Sequence, residues 1–183
     1  MKWLDRYLQK QRFKAIEKYL DNNKKTLDIG CNKGEFFNYF RKKHLFGVGV
    51  DPNLTESINN DNIQLIRDVF PPAVSSVGNN FDYIIALAVL EHIPIKSQLF
   101  FAEKCYDLLC DNNGKLLITV PSSNVDIILR LLKLFRMIDG IEMGQHYGFN
   151  IESVIPTFKQ AGFNLLIHRR FQLGLNNLYV FTK

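Results

Sequence analysis

The chain has 183 residues, of which 46% are hydrophobic and 22% charged. That length bounds it to one ordinary domain around one core, and that composition excludes a disordered, collagen-like or polytopic membrane chain. Lys and Arg number 23 against 18 Asp and Glu, a formal net charge of +5; this mildly basic balance admits an anionic ligand without requiring one.

The first residues, Met1-Lys2-Trp3-Leu4-Asp5-Arg6, carry charges where a signal peptide needs an apolar core. Residues 3–20 read as a helix, with Trp3, Leu4, Leu8, Phe13, Ile16, Tyr19 and Leu20 roughly on one face. Asp21-Asn22-Asn23 breaks it. Thr26 to Ile29 is a short strand that stops at Gly30, and Gly34-Glu35 opens a helix through about Lys43. Leu45 to Val50 is the next strand, ending at Asp51-Pro52. Ile63 to Ile66 and Phe81 to Ala86 are two more. A helix over about 97–109 leads through Asp111-Asn112-Asn113-Gly114 to a strand over Lys115 to Val120, stopped by Pro121. An apolar and basic segment over about 124–138 follows, then a Gly-rich loop, a helix over about 151–161, and strands over 163–170 and 177–182. The link Leu175-Asn176-Asn177 makes these last two an expected antiparallel hairpin.

The central strands are continuous apolar runs, as in strands covered on both faces. Seven strands alternating with helices predict a doubly wound, mostly parallel α/β sheet whose ligand lies at the carboxyl ends of the strands. Cys31, Cys105 and Cys110 are an odd number without C-x-x-C spacing. Neither a disulfide framework nor a cysteine zinc site is expected, and a reducing cytoplasm is the natural setting. No run reaches the roughly 18 uncharged apolar residues of a membrane span.

Leu27-Asp28-Ile29-Gly30-Cys31-Asn32-Lys33-Gly34-Glu35-Phe36 carries the clearest chemical signal. A strand ends, a turn with two glycines follows, and a helix begins. Backbone approaches a ligand closely only where side chains are absent, and a helix start offers free N–H groups. Asp51 lies about twenty residues beyond Gly30, where an acidic group accepts hydrogen bonds from ribose hydroxyls; an Asp-Pro turn start is the plainer alternative. A dinucleotide fingerprint from Gly30 needs glycine at 32 and 35, but the chain has Asn32 and Glu35, which argues against a nicotinamide oxidoreductase.

The spacing Asp28-x-Gly30-x-x-x-Gly34 instead resembles the first motif, D-x-G-x-G-x-G, of class I S-adenosylmethionine-dependent methyltransferases. Gly47-Val48-Gly49-Val50-Asp51 resembles their second motif. Phe81-Asp82-Tyr83-Ile84-Ile85-Ala86-Leu87-Ala88-Val89-Leu90-Glu91-His92-Ile93 is very like F-D-x-I-x-x-x-x-V-L-E-H-I of the small methyltransferase type 11/12/23 group. Leu108-Leu109, Gly114 and Leu116 to Pro121 match its fifth strand, and Glu152 to Phe163 its late helix. Asn32 departs from the pattern by replacing the middle glycine; Asn tolerates unusual φ/ψ better than most residues.

The resemblance implies a Rossmann-like methyltransferase domain over 1–183, with an N-terminal helix over 1–22 and a lid or insert over 122–150. It implies S-adenosylmethionine as cofactor and S-adenosylhomocysteine as product. Asp28, Gly30, Cys31, Asn32 and Gly34 would line the methionine moiety. Asp51 would hold the ribose, Pro52 would lie against the adenine, and Asp68 and Val69 would meet the adenine edge. Ala86 and Leu87 would floor the site near the sulfonium. A helix start near Cys31 could lower its pKa, but the position is commonly a small packing residue in the family.

An oxygen acceptor needs a base near neutral pH, and histidine is the natural type. His146, in Gly144-Gln145-His146-Tyr147-Gly148, and His92 are the candidates; His44 and His168 fall away from the expected site. Related quinone methyltransferases place a metal on E-x-x-E-H, whose first position here is Ala88, so no metal is expected. In 126–138, Arg130, Lys133 and Arg136 recur at spacing three among apolar residues. That suits a lid helix, with peripheral membrane contact or a partner interface as alternatives.

The reading is methyl transfer to a small-molecule acceptor, a sugar or lipid-linked intermediate among the options. An RNA methyltransferase or a non-catalytic cofactor-binding partner subunit is the alternative. RNA is disfavoured because the basic residues are scattered. DNA is not expected, since Leu87-Ala88-Val89-Leu90 stands where an amino methyltransferase would want an N-P-P-Y-like tetrad. The oligomeric state is open.

Overall fold

A computed structural model describes residues 3–60, 62–71, 78–122 and 149–183. Eight strands form one sheet: β1 (Lys25–Ile29), β2 (Phe46–Val50), β3 (Ile58–Asn59), β4 (Ile63–Ile66), β5 (Tyr83–Leu87), β6 (Lys115–Pro121), β7 (Asn164–Phe171) and β8 (Asn176–Thr182). Their order is β3-β4-β2-β1-β5-β6-β8-β7. β4, β2, β1, β5 and β6 run parallel, while β8 pairs antiparallel with both β6 and β7. Seven of these are the expected strands. The eighth, β3, is two exposed residues antiparallel to β4, with Ile58 opposite Leu65. A two-residue strand has no periodicity to read; the edge of β4 creates it.

Helices α1 (Trp3–Ile16), α2 (Glu35–Tyr39), α3 (Ile95–Leu108) and α4 (Val154–Gln160) cover the sheet. Two expected helices are shorter than the periodicity suggested. The first relaxes into a 3-10 turn over Glu17–Tyr19, and the second breaks at Phe40 (φ −93, ψ 18) before a 3-10 turn over Arg41–Lys43. The last hairpin also turns earlier than expected. Gln172, Leu173 and Gly174 take positive φ, and Asn176 and Asn177 already pair within β8. Asn177 is 1% exposed; its Nδ2 donates to Ser122 Oγ at 2.8 Å and its Oδ1 meets His168 Nε2 at 3.0 Å. A buried amide with both ends satisfied belongs in the ladder rather than in a turn.

Period-two alternation splits the core between the faces. Leu27, Ile29, Ile84, Ala86, Leu116 and Ile118 pack with Phe101 of α3 and Phe158 of α4. Tyr83, Ile85, Leu117 and Val180 pack on the other face with Phe13 of α1 and Phe36 of α2. Phe13 holds α1 in place, its ring 5.0 Å from Tyr39, 5.9 Å from Phe40 and 6.1 Å from Phe36. Arg169 Nη2 donates to Ala15 O at 2.7 Å, and Gln172 Nε2 to Leu8 O at 3.0 Å, so the C-terminal hairpin ties down the same helix.

This docking brings Arg12 of α1 near Glu91, on the 3-10 turn Leu90–His92 after β5. Glu91 is 3% exposed and its Oε2 has no hydrogen-bond partner. Burial pushes its carboxyl up to about 7, opposed by its own backbone N–H and by the charge of Arg12. The folded protein therefore holds a proton that the unfolded chain gives up near pH 4.5. Stability is expected to fall as pH rises from about 4.5 to 7, and in Glu91→Gln that slope flattens, as read by urea unfolding at pH 5 and pH 8.

The glycines of β2 are set by contact. A Cβ on Gly47 (φ +143) would stand 2.0 Å from Thr26 O of β1, and one on Gly49 2.7 Å from Cys31 Sγ and from Leu65 Cδ2. Backbone yields less readily than side chains. Gly47→Ala is therefore expected to lower the thermal midpoint more than Gly49→Ala, whose overpacking costs about 1–3 kcal/mol.

Candidate active site

The chain leaves β1, fills β2 and β4 on one side, then crosses back to β5 on the other side of β1. The order reverses between β1 and β5, the place where an open α/β sheet leaves a crevice beyond its carboxyl ends. Ile29 ends β1 opposite Ala86 of β5, so the loop 30–34 opens directly onto that crevice.

Three residues of this loop take left-handed backbone: Gly30 (φ 75), Asn32 (φ 47) and Gly34 (φ 78). Gly30 N donates to Val50 O at 2.8 Å, and a Cβ there would lie 2.6 Å from Val89 Cγ2. No larger residue fits. Asn32 keeps the backbone conformation of the glycine it replaces. Its side chain is used as well: Nδ2 donates to Glu35 Oε1 at 2.9 Å, while Lys33 N donates to Glu35 Oε2 at 3.0 Å. Glu35 thus braces the loop, a role not read from the sequence. Its signal was an acid three residues after Asn32.

Asp51 ends β2, buried at 7% exposure. Its Oδ2 accepts from Asn32 N and its Oδ1 from Asn53 N, both at 2.8 Å. Two carboxylate oxygens offer about four acceptor positions, and two are left for a ligand.

A small cavity of about 50 Å3 lies against the loop, walled by Asp28, Gly30, Cys31 and Leu87. Gln9, Arg12 and Phe13 of α1 close it, with Phe36 behind. The α1 residues were not among the sequence candidates; helix periodicity placed only Phe13 on the apolar face, and only the docked helix brings Gln9 and Arg12 to the loop. Asp28 is buried, and its carboxyl lies well above the usual range through burial and the nearby charges of Glu35 and Asp51. Arg12 Nε is buried with no hydrogen-bond partner. Burial works against the guanidinium's charge, and Glu91 and Asp5 support it.

Cys31 is buried, with Sγ filling the space above Gly49. Burial, with Asp28 and Asp51 beside it, pushes its thiol well up. An activated thiolate has the opposite surroundings.

The remaining candidates scatter. Ala86 is fully buried in β5. Pro52 is exposed after β2. Beyond β4, Val69 is 64% exposed and its N–H donates to Asp68 Oδ1 at 2.7 Å. His92 is exposed on the turn after β5, and Ala88 beside it takes φ 58 with its N–H on Thr119 O at 2.9 Å. His146 and the segment 126–138 lie outside the described residues, as does nearly all of the expected lid over 122–150. Among the described residues no helix is long and apolar enough to cross a membrane.

Residues 2–168 match the model of a family described as a methyltransferase domain. No curated protein sequence matches the chain. Solved structures share its fold. An S-adenosylmethionine-dependent methyltransferase from Archaeoglobus fulgidus has a TM-score of 0.68 at 15% identity, covering 97% of this chain and 94% of that one. A TehB-like S-adenosylmethionine-dependent methyltransferase from Corynebacterium glutamicum has a TM-score of 0.66 at 14% identity, covering 94% and 87%. The 1,6-didemethyltoxoflavin-N1-methyltransferase of Burkholderia thailandensis, solved with 1,6-didemethyltoxoflavin and S-adenosylhomocysteine, has a TM-score of 0.67 at 14% identity, covering 94% and 76%. At such identities the likeness speaks for the fold, and the family match over most of the chain speaks for membership. The chain belongs to the methyltransferase domain family.

Proposed function

We propose that this protein transfers the methyl group of S-adenosylmethionine to a small-molecule acceptor in the cytoplasm, a sugar or lipid-linked intermediate being the class we favour. The observation that carries the cofactor half is the pair of buried titratable groups in the inner cavity. Asp28 is an acid with no ion pair among the described residues, and Arg12 is a cation with a free buried N–H. The methionine end of the cofactor is a zwitterion. Its ammonium complements Asp28, its carboxylate complements Arg12, and both buried groups gain the partner that burial demands.

The other residues follow from their positions. Asp51 offers its two remaining acceptor positions to the ribose hydroxyls. Gly30 and Asn32 present backbone without obstruction. Leu87 and Phe36 exclude water beside the reacting centre. When bound, the cofactor supplies a methyl group already activated on a sulfonium, so alignment and desolvation carry much of the rate. His92, on the turn after β5, and His146 are our candidates for taking the acceptor's proton. The small acceptor of the Burkholderia enzyme, on the same fold, supports a small-molecule class here. We place no nucleic acid in the site, and keep peripheral membrane contact through 126–138 as part of the lipid-linked option.

Two variants test the cofactor assignment by titration calorimetry. Arg12→Ala is expected to weaken S-adenosylhomocysteine binding by about 1.5–3 kcal/mol, the worth of a charged hydrogen bond. Affinity for methylthioadenosine, which lacks the amino-acid end, should not change. Equal loss for both ligands would place Arg12 elsewhere. Asp51→Ala is expected to weaken both ligands by about 1–3 kcal/mol and also to lower the thermal midpoint, because two loop N–H groups lose their acceptor. Acceptor class is then read by following S-adenosylhomocysteine release across small-molecule acceptors and RNA; turnover on RNA alone would overturn the small-molecule reading.

A further inference from the structure

A second, wider cleft of about 540 Å3 opens between α1, the loop after β1 and α2. Its volume is that of a small-molecule site. Arg6 and Lys10 of α1 and Lys33 of the loop line it, and none makes an ion pair among the described residues. Arg6 and Lys10 stand four apart on one helix, so their like charges sit side by side and oppose each other. Glu35 also lines the cleft, but its two oxygens are held by Asn32 Nδ2 and Lys33 N. Three cations against one carboxylate leave an excess of two positive charges. The rings of Phe13 and Tyr39, 5.0 Å apart, form an apolar part of the wall.

We propose that this cleft binds a small molecule carrying a phosphate group, with Arg6, Lys10 and Lys33 around the phosphate and Phe13 and Tyr39 against its apolar body. A phosphate monoester carries close to two negative charges at neutral pH and several acceptor oxygens, which matches the excess charge. A carboxylate would neutralise only half of it. The cleft adjoins the crevice at the ends of β1 and β5, reaching Asn32 and Lys33 of its loop, and the inference does not depend on which acceptor is methylated. Gln9 and Phe13 line both the cleft and the inner cavity, so the occupant lies beside the methionine end of the cofactor.

The test is calorimetric titration of the full chain with phenyl phosphate at low ionic strength, with benzoate and inorganic phosphate as comparisons. We expect one saturable site, tighter for phenyl phosphate than for either comparison, and weaker at high salt. Arg6 and Lys10 are exposed, so Arg6→Ala/Lys10→Ala should fold normally. That variant is expected to lose at least tenfold in phenyl phosphate affinity and to keep its affinity for S-adenosylhomocysteine. No saturable binding at millimolar phenyl phosphate, or undiminished binding in the double variant, would overturn the proposal. So would a single-stranded oligonucleotide that binds more tightly and displaces the probe, since the cations would then serve a nucleic acid. The S-adenosylhomocysteine titration reports on the methyltransferase reading separately. Its failure with phenyl phosphate binding intact would sink that reading and leave this one standing.

Discussion

One carboxylate organises the ends of the two central strands. Asp51 accepts the N–H of Asn32 from the loop after β1 and the N–H of Asn53 from the turn after β2. Both bonds are charge-assisted and part-buried, which makes them stronger than ordinary backbone contacts. Through them a loop with three left-handed residues keeps a single shape. That shape sets where Gly30 can approach a ligand and where Glu35 braces the turn. Everything proposed for the crevice presupposes this fixed loop.

The same economy of side chains explains why glycines cluster in β2 and in the loop after β1. Gly30 faces Val89, Gly47 faces the backbone of Thr26, and Gly49 faces Cys31 and Leu65. Each is a close approach rather than a hinge. Cys31 in turn is a filler above Gly49, and its buried thiol is held protonated among carboxylates. The loop is therefore tightly packed on the sheet side and open on the ligand side. Such one-sided packing lets a binding loop be both rigid and accessible.

Charge is distributed with equal asymmetry around α1. Phe13 enters the aromatic cluster and Arg12 lines the inner cavity, while Arg6 and Lys10 line the wider cleft. A helix that a sequence pattern marks as packing material thus supplies the cationic groups of two cavities. Burial of Arg12 beside Glu91, without a direct ion pair, is costly in isolation. It is understandable if an anionic group completes the set.

The order of strands and helices was legible in the sequence because apolar runs of four to six residues, stopped by Gly, Asp or Pro, have few other readings. Gly30, Gly34 and Asp51 were legible as a turn and an acid at strand ends, because left-handed backbone, close approach and the binding of loop N–H groups demand particular residue types there. The two-residue β3 and the early turn at Gln172 to Gly174 were not, because each depends on a partner strand rather than on its own residues. Nor were Gln9, Arg12 and Glu35, which enter the site by docking and hydrogen bonding across the fold. The chain's own pattern determined the sheet and its switch point, and its motifs the family it resembles. Only the tertiary structure decided what closes the cavity and carries its charge, since a helix periodicity says which face is buried but not what that face is buried against.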